Sequence, residues 1–307
     1  MTIRQQSLAP AGNRKGGTTG DRRAGPTRAL SAQRTAWNSF LRKPTTMVFV
    51  PLVVVMVGFV SFAPFFAPNP IMTVFPVLQA PGPDHLLGTD QLGRDYLARV
   101  ANGGRVSLMV GFAVALLCMT FGLAIGGLAG YYRGAVDLGL VKIAEFFQVL
   151  PAILLALVAA ALLGQGLWLI VIILAVTMWP EVARIVRAEA MRIAQLGYVE
   201  SARAVGFHGF RIILSDVIPN LMPPVLVATT LTVGRAILIE SGLSYIGIGD
   251  PSNPSWGSLL SAAQGHMREG WWLAVIPGAC IFLVVLAVNM LGDALNDSFN
   301  PMIGRVK

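Results

Sequence analysis

Residues 198–224 read YVESARAVGFHGFRIILSDVIPNLMPP. This is the longest segment in the second half of the chain that a lipid interior would reject. Glu200, Arg203, His208, Arg211 and Asp216 stand in it, between two strongly apolar runs. The flanks decide the fold class. The 307 residues are 55% hydrophobic and only 12% charged, with a mean hydropathy of +0.67. A soluble domain usually carries about twice that charged fraction, so most of the surface faces lipid. The class is all-α integral membrane, because only internally hydrogen-bonded segments cross a bilayer. The 33 glycines suit it, since small residues let helices approach closely in lipid.

The net charge of +8 is unevenly placed. Arg4, Arg14, Lys15, Arg22, Arg23, Arg28, Arg34, Arg42 and Lys43 precede Pro44 with only Asp21 for acidic company. A basic tail ahead of an apolar helix is a positive-inside signal before it is a nucleic-acid patch, so no nucleic acid is expected as a partner. Residues 1–43 lack apolar periodicity and read as a flexible cytoplasmic tail.

Apolar runs then predict six spans at 47–66, 106–129, 138–163, 167–185, 220–240 and 272–291. Ser61-Phe62-Ala63 has the form of a signal-peptide cleavage site, but the run is too long for one and reads as a retained helix. Pro151 interrupts the third span, and Pro180 lies low in the fourth. Prolines 68, 70, 76, 81 and 83 mark an irregular external segment within 44–103; the core would be 104–296 and the last tail 297–307. Basic residues support the topology. Arg133, Lys142, Arg184, Arg187, Arg192, Arg203, Arg211, Arg305 and Lys307 join the N-terminal tail inside, against Arg94, Arg99, Arg105 and Arg268 outside. Both termini are expected in the cytoplasm.

The opening stretch then falls on the cytoplasmic side. Residues 188–205 contain no proline, and Met191, Ala194, Gln195 and Tyr198 follow helical spacing. Gly206 ends that helix, a second short one is expected over 210–215, and Pro219 starts the next span. The result is either a rigid knob projecting into the cytosol or an ordinary amphipathic interfacial loop.

Glu200-Ser201-Ala202, Gly206 and Ile218-Pro219 resemble the EAA signature of permease subunits of binding-protein-dependent ABC importers. Ser201 replaces the middle Ala, and Asp216 stands where that family often has an apolar residue. HLLGTDQLGRDYLARVANGGRVSL (85–108), WPEVARIVRAE (179–189), ESGLSYIGIGDPSNPSWGSLL (240–260) and VNMLGDALNDSFNP (288–301) are similar to the C-type subunits of dipeptide and oligopeptide permeases, with a MetI-like transmembrane domain. The likeness runs from about residue 45 to 301 and leaves the N-terminal tail uncovered. It implies a multi-pass subunit of a bacterial inner membrane whose loop 188–218 couples to ATPases through Glu200, Ala202, Arg203, Gly206 and Pro219. It implies no catalysis and no cofactor. The partners implied are a homologous B-type permease subunit, two cytosolic ABC ATPases and an extracytoplasmic substrate-binding protein. The implied cargo is di- or oligopeptides, with nickel chelates or oligosaccharides as the alternative. The chain has no Gly-x-x-x-x-Gly-Lys-Ser/Thr loop, so ATP would be handled by another subunit.

Ionisable residues within spans are functional candidates. Glu145, Glu181, Arg235 and Glu240 qualify, and the last two are candidate pathway residues. Five positions apart, they face different sides of a helix. Arg235 either snorkels to the interface or faces the pathway and meets a substrate carboxylate. Trp256, Trp271 and Trp272 read as interfacial aromatics, and Cys118 and Cys280 as packing residues. His85, His208 and His266 offer no metal-ligand spacing. An intramembrane enzyme would need paired acids or a His/Cys/Ser set at depth. A secondary transporter usually shows repeats. Neither signature is present.

Overall fold

A chain immersed in lipid must satisfy its backbone internally. The computed structural model, which describes residues 40–41, 43–66 and 75–299, does this with helices throughout. An isolated antiparallel bridge between Thr89 and Asp95 is the one β contact among the described residues. The expectations for the N-terminal tail before residue 40, for the segment 67–74 and for Arg305 and Lys307 lie outside them.

Helix α1 spans Pro44–Phe66, α2 Tyr96–Tyr132, α3 Gly134–Val149, α4 Ala152–Leu163 and α5 Leu167–Ile193. The short α6 (Gly197–Ala204) and α7 (Gly209–Ile212) follow, then α8 (Ile218–Tyr245), α9 (Trp256–Ala263) and α10 (Trp272–Phe299). Among the described residues, five helical stretches are long and apolar enough to cross a membrane, and α3 with α4 makes a sixth crossing if that bent pair acts as one. The pair bends by 75° at residues 150–151, where Pro151 has no N–H for the ladder.

The tightest seam joins α2 to α5. Glycines 122, 126 and 130 form a stripe at i, i+4, i+8, and an added Cβ on Gly126 would sit 2.4 Å from the Ala183 carbonyl oxygen. On Gly130 it would sit 2.6 Å from the Arg187 carbonyl. Gly111 lets α2 meet Ile237 of α8 in the same way. Around this seam Val114, Leu174, Val186 and Leu221 form one buried core. A second, with Tyr96, Ile237, Trp256 and Leu273, ties α1, α8, α9 and α10 together near the start of α2.

Lys43 reaches Asp297 at 3.2 Å and the Ala294 carbonyl at 3.3 Å, which sets the start of α1 beside the end of α10. At the opposite end lies a polar cap. Asp90 is fully buried and accepts from the N–H groups of Leu92 and Arg94 at 2.9 Å, from Arg94 Nε at 2.6 Å, and from Arg99. Burial alone would raise its carboxyl. The N–H of Arg94, the Arg99 guanidinium, the N–H of Leu92 and the Arg94 side chain outweigh that and hold it below the usual 3.8. Asp95 caps α2 by accepting from Ala98 N–H at 3.0 Å.

The tryptophans correct the reading as interfacial aromatics. Trp256 and Trp272 are buried, donating Nε1–H to the Val100 and Thr89 carbonyls at 2.8 and 3.3 Å. Only Trp271 of the three is exposed. An indole with its N–H satisfied can fill a core as readily as a membrane interface.

Candidate functional site

The segment from α5 to α8 departs from the predicted pair of helices in two ways. The first helix ends at Ile193 and restarts at Gly197, because Leu196 is extended. Arg133 also donates to the Met191 carbonyl at 2.8 Å, satisfying one end-group of α5. The second short helix is no separate element. Helix α7 runs through a single π turn, Ile213–Val217, into α8. Pro219 cannot donate four residues back, so the ladder widens there. Asn220 Nδ2 donates to the Asp216 carbonyl at 2.6 Å, and Ser215 Oγ reaches the Arg211 carbonyl at 2.8 Å. Ser215 Oγ is also 2.6 Å from the Asp216 carboxylate, which gives that residue a local partner.

Helix α6 closes with a Schellman motif. Gly206 N–H donates to the Arg203 carbonyl at 2.9 Å and Phe207 N–H to the Ala202 carbonyl at 3.1 Å. Gly206 has φ +89°, the left-handed region that a side chain disfavours. Ala202, Arg203 and Gly206 are thus joined by one turn. Glu200 is exposed on the first turn of α6, and Pro219 lies at the start of α8, beyond the π turn.

What anchors this knob is apolar. Val199, Ile212, Ile213 and Val217 are buried in the core around α5. The Arg203 guanidinium stacks 4.6 Å from the centre of the Tyr131 ring and Nε donates to Tyr131 Oη at 3.3 Å, pinning α6 to the end of α2. A cleft of about 400 Å³ between them is lined by Tyr131, Arg133, Glu200 and Arg203.

The outer rim of the knob is also apolar. Val205 is 77% exposed and Phe210 60%, with Phe207 and Leu214 beside them. The Arg211 guanidinium lies 4.5 Å from the Phe207 ring centre. Such a patch on a polar projection marks an interaction surface. Charge patterning does not single out these four residues. Apolar side chains next to a helix-ending glycine, in a segment that avoids lipid, were the available signal.

Arg235 and Glu240 face different ways, as their spacing implies. Glu240 is 2% exposed and accepts from Ser244 Oγ at 2.6 Å, Ser107 Oγ at 3.2 Å and Ser241 Oγ at 3.4 Å. It joins α8 to α2 near the polar cap and offers a solute no surface in this conformation. Arg235 is exposed and pairs with Glu181 of α5, a residue 54 positions away. Glu145 pairs with Lys142 at 2.8 Å. Cys118 is buried in the apolar core and Cys280 half-buried beside the second core; both are free thiols.

A bundle of long apolar helices, with a polar cap at one end and an exposed knob at the other, is the build of a multi-pass membrane protein. Residues 122–305 match the family model described as the binding-protein-dependent transport system inner membrane component, and the chain belongs to that family. A putative peptide transport system permease protein of Brucella suis is 40% identical over 226 residues, which are 73% of this chain and 76% of that protein. The glutathione transport system permease of Pectobacterium atrosepticum is 33% identical, over 88% of this chain and 91% of its own. The dipeptide transport system permease of Bacillus subtilis is 34% identical over 90% and 88%. Among solved structures, an inward-facing methionine ABC transporter superposes with a TM-score of 0.50 at 19% identity, over 62% of this chain and 93% of the other. An amino acid ABC transporter crystallised with histidines superposes with 0.51 at 18%, over 66% and 94%. The fold is therefore that of ABC transporter membrane subunits.

Proposed function

We propose that this subunit forms half of the path of an ATP-driven importer of di- or oligopeptides, in a bacterial inner membrane with both termini in the cytoplasm. The names borne by its relatives support the peptide cargo. The positive-inside bias supports the orientation. The contact between Lys43 and Asp297 agrees with termini on one side.

The observation that carries the coupling role is the knob itself: a Schellman-closed α6, an apolar rim at Val205, Phe207, Phe210 and Leu214, and Glu200 exposed beside them. Glu200, Ala202, Arg203 and Gly206 form the docking centre for a cytosolic ATPase, and Pro219 begins the span that the knob moves. ATP hydrolysis belongs to two such ATPases. A B-type permease subunit completes the path, and an extracytoplasmic binding protein delivers the cargo. Closure of the ATPases pushes the knob, and the buried Val199, Ile212 and Val217 transmit that push to α5 and α8 as a rigid-body motion.

Co-purification tests this reading. The intact chain brings its ATPases down, and Glu200→Lys reverses the charge at the docking centre and reduces recovered ATPase roughly ten-fold or more. Transport-competent protein purified without any ATPase would overturn the proposal.

A further inference from the structure

The ion pair between Glu181 of α5 and Arg235 of α8 is at once charged and open, with side chains 58% and 57% exposed. Neither residue is near a helix end. At 1.5 Å rise per residue, Glu181 lies about 21 Å along α5 from Leu167, and Arg235 about 15 Å along α8 from Tyr245. Measured from those ends, both depths fall inside a hydrocarbon layer of about 30 Å. Lipid tails do not cover an open ion pair at that depth; protein or a water-filled path does.

A second observation points to the same face. The bend at residues 150–151 lies beside this level of α5, because Gln148 accepts from Arg184, one turn along the helix from Glu181. Pro151 and Ile153 are exposed there, and the first amides of α4 take no side-chain cap. Broken backbone at membrane depth is tolerated where it lines a cavity or meets protein, and broken helices mark binding sites in membrane transporters. Along α8, Leu231 and Leu238 flank Arg235 and are exposed with it; Ile185 does the same beside Glu181. The surroundings of the charges are thus apolar.

From this we infer that the Glu181–Arg235 pair is a reader of peptide termini: Arg235 takes the C-terminal carboxylate and Glu181 the N-terminal ammonium of a short peptide in transit. The inference rests on the peptide-import reading above. With the path empty, each charge compensates the other. A zwitterion replaces each partner by a group of the same sign, so neither side chain is left uncompensated during the exchange. A solute with one terminus blocked strands one of them. The apolar flanks at Ile185, Leu231 and Leu238 carry no hydrogen-bonding pattern, so they accept varied side chains while the pair selects for free ends.

The test is equilibrium binding of a labelled dipeptide to the assembled permease–ATPase complex in nanodiscs, with the binding protein left out so that it does no selecting. N-acetylated and C-amidated analogues compete. For the wild type each blocked analogue should compete at least roughly ten-fold more weakly than the free dipeptide. In Glu181→Gln the N-acetyl penalty disappears, and in Arg235→Gln the C-amide penalty. The double variant Glu181→Gln/Arg235→Gln leaves no stranded charge and guards against misfolding of the single variants. In it all three ligands should fall within about two-fold of one another. An unchanged ranking in the double variant overturns the inference, as does a wild-type complex that holds no dipeptide. Loss of subunit assembly in the double variant also overturns it and makes the pair an intersubunit lock. Dipeptide uptake by the complete wild-type importer in proteoliposomes is measured alongside. Its absence defeats the peptide-import reading, whereas its presence with failed binding defeats only the reader.

Discussion

Asp90→Ala should lower stability by about 3–5 kcal/mol, the cost of breaking a buried charge cluster from one side. The carboxylate has no exposure, and it neutralises Arg99, itself 9% exposed, as well as Arg94. Its removal leaves a guanidinium buried at the head of α2 and two backbone N–H groups without acceptors. Thermal unfolding of the detergent-purified protein measures the loss. Asp90→Ala/Arg99→Leu should recover part of it, because the stranded charge goes too. A double variant no better than the single would show that the N–H bonds, not the charge, hold the cap. The pH dependence has a definite sign. The carboxyl sits below its usual value in the fold, so its stabilisation is fully present above 3.8 and is lost as pH falls through the lower folded value. In the Asp90→Ala variant that acid-side loss should be missing.

Gly126→Ala and Gly127→Ala should have opposite effects although the sites are adjacent. At Gly126 the new methyl would meet the Ala183 carbonyl oxygen at 2.4 Å and Val186 Cβ at 2.9 Å, so α2 and α5 must part along their longest seam. The expected cost is at or above the upper end of the roughly 1–3 kcal/mol typical of over-packing, since a backbone oxygen cannot rotate aside. At Gly127 a Cβ meets nothing within 4 Å. There alanine should stabilise, by up to about 1 kcal/mol, through helix propensity alone. Melting temperatures of the two variants decide the matter, and equal shifts would refute the close-approach account.

Much of the architecture was legible in the sequence because lipid imposes a summed requirement. A run of about twenty apolar residues spans whatever its neighbours are, and all the predicted spans coincide with helices of the structure, the third as the bent pair. Pro151 marked the bend and Gly206 the Schellman turn, since each acts through its own backbone. The same local logic failed at residues 194–196, where no proline or cap signal announces the break between α5 and α6. It failed again at the π turn, which carries α7 into α8 without the break expected between them.

The candidate site divides in the same way. Ala202, Arg203 and Gly206 could be read together because one turn joins them. Arg235 could not be read with Glu181, since their meeting depends on how α5 and α8 are rotated about their axes. Glu240 resembled a pathway residue by type and depth, yet the rotation of α8 turns it into three serine hydroxyls.

Hydropathy and backbone chemistry act residue by residue, so the helical membrane class, the course of the spans and the place of the polar knob can all be read along the chain. Which glycines touch backbone, which tryptophans are core and which charges face one another emerge when the helices pack. Those are properties of opposed helix faces, and no single stretch of chain contains both.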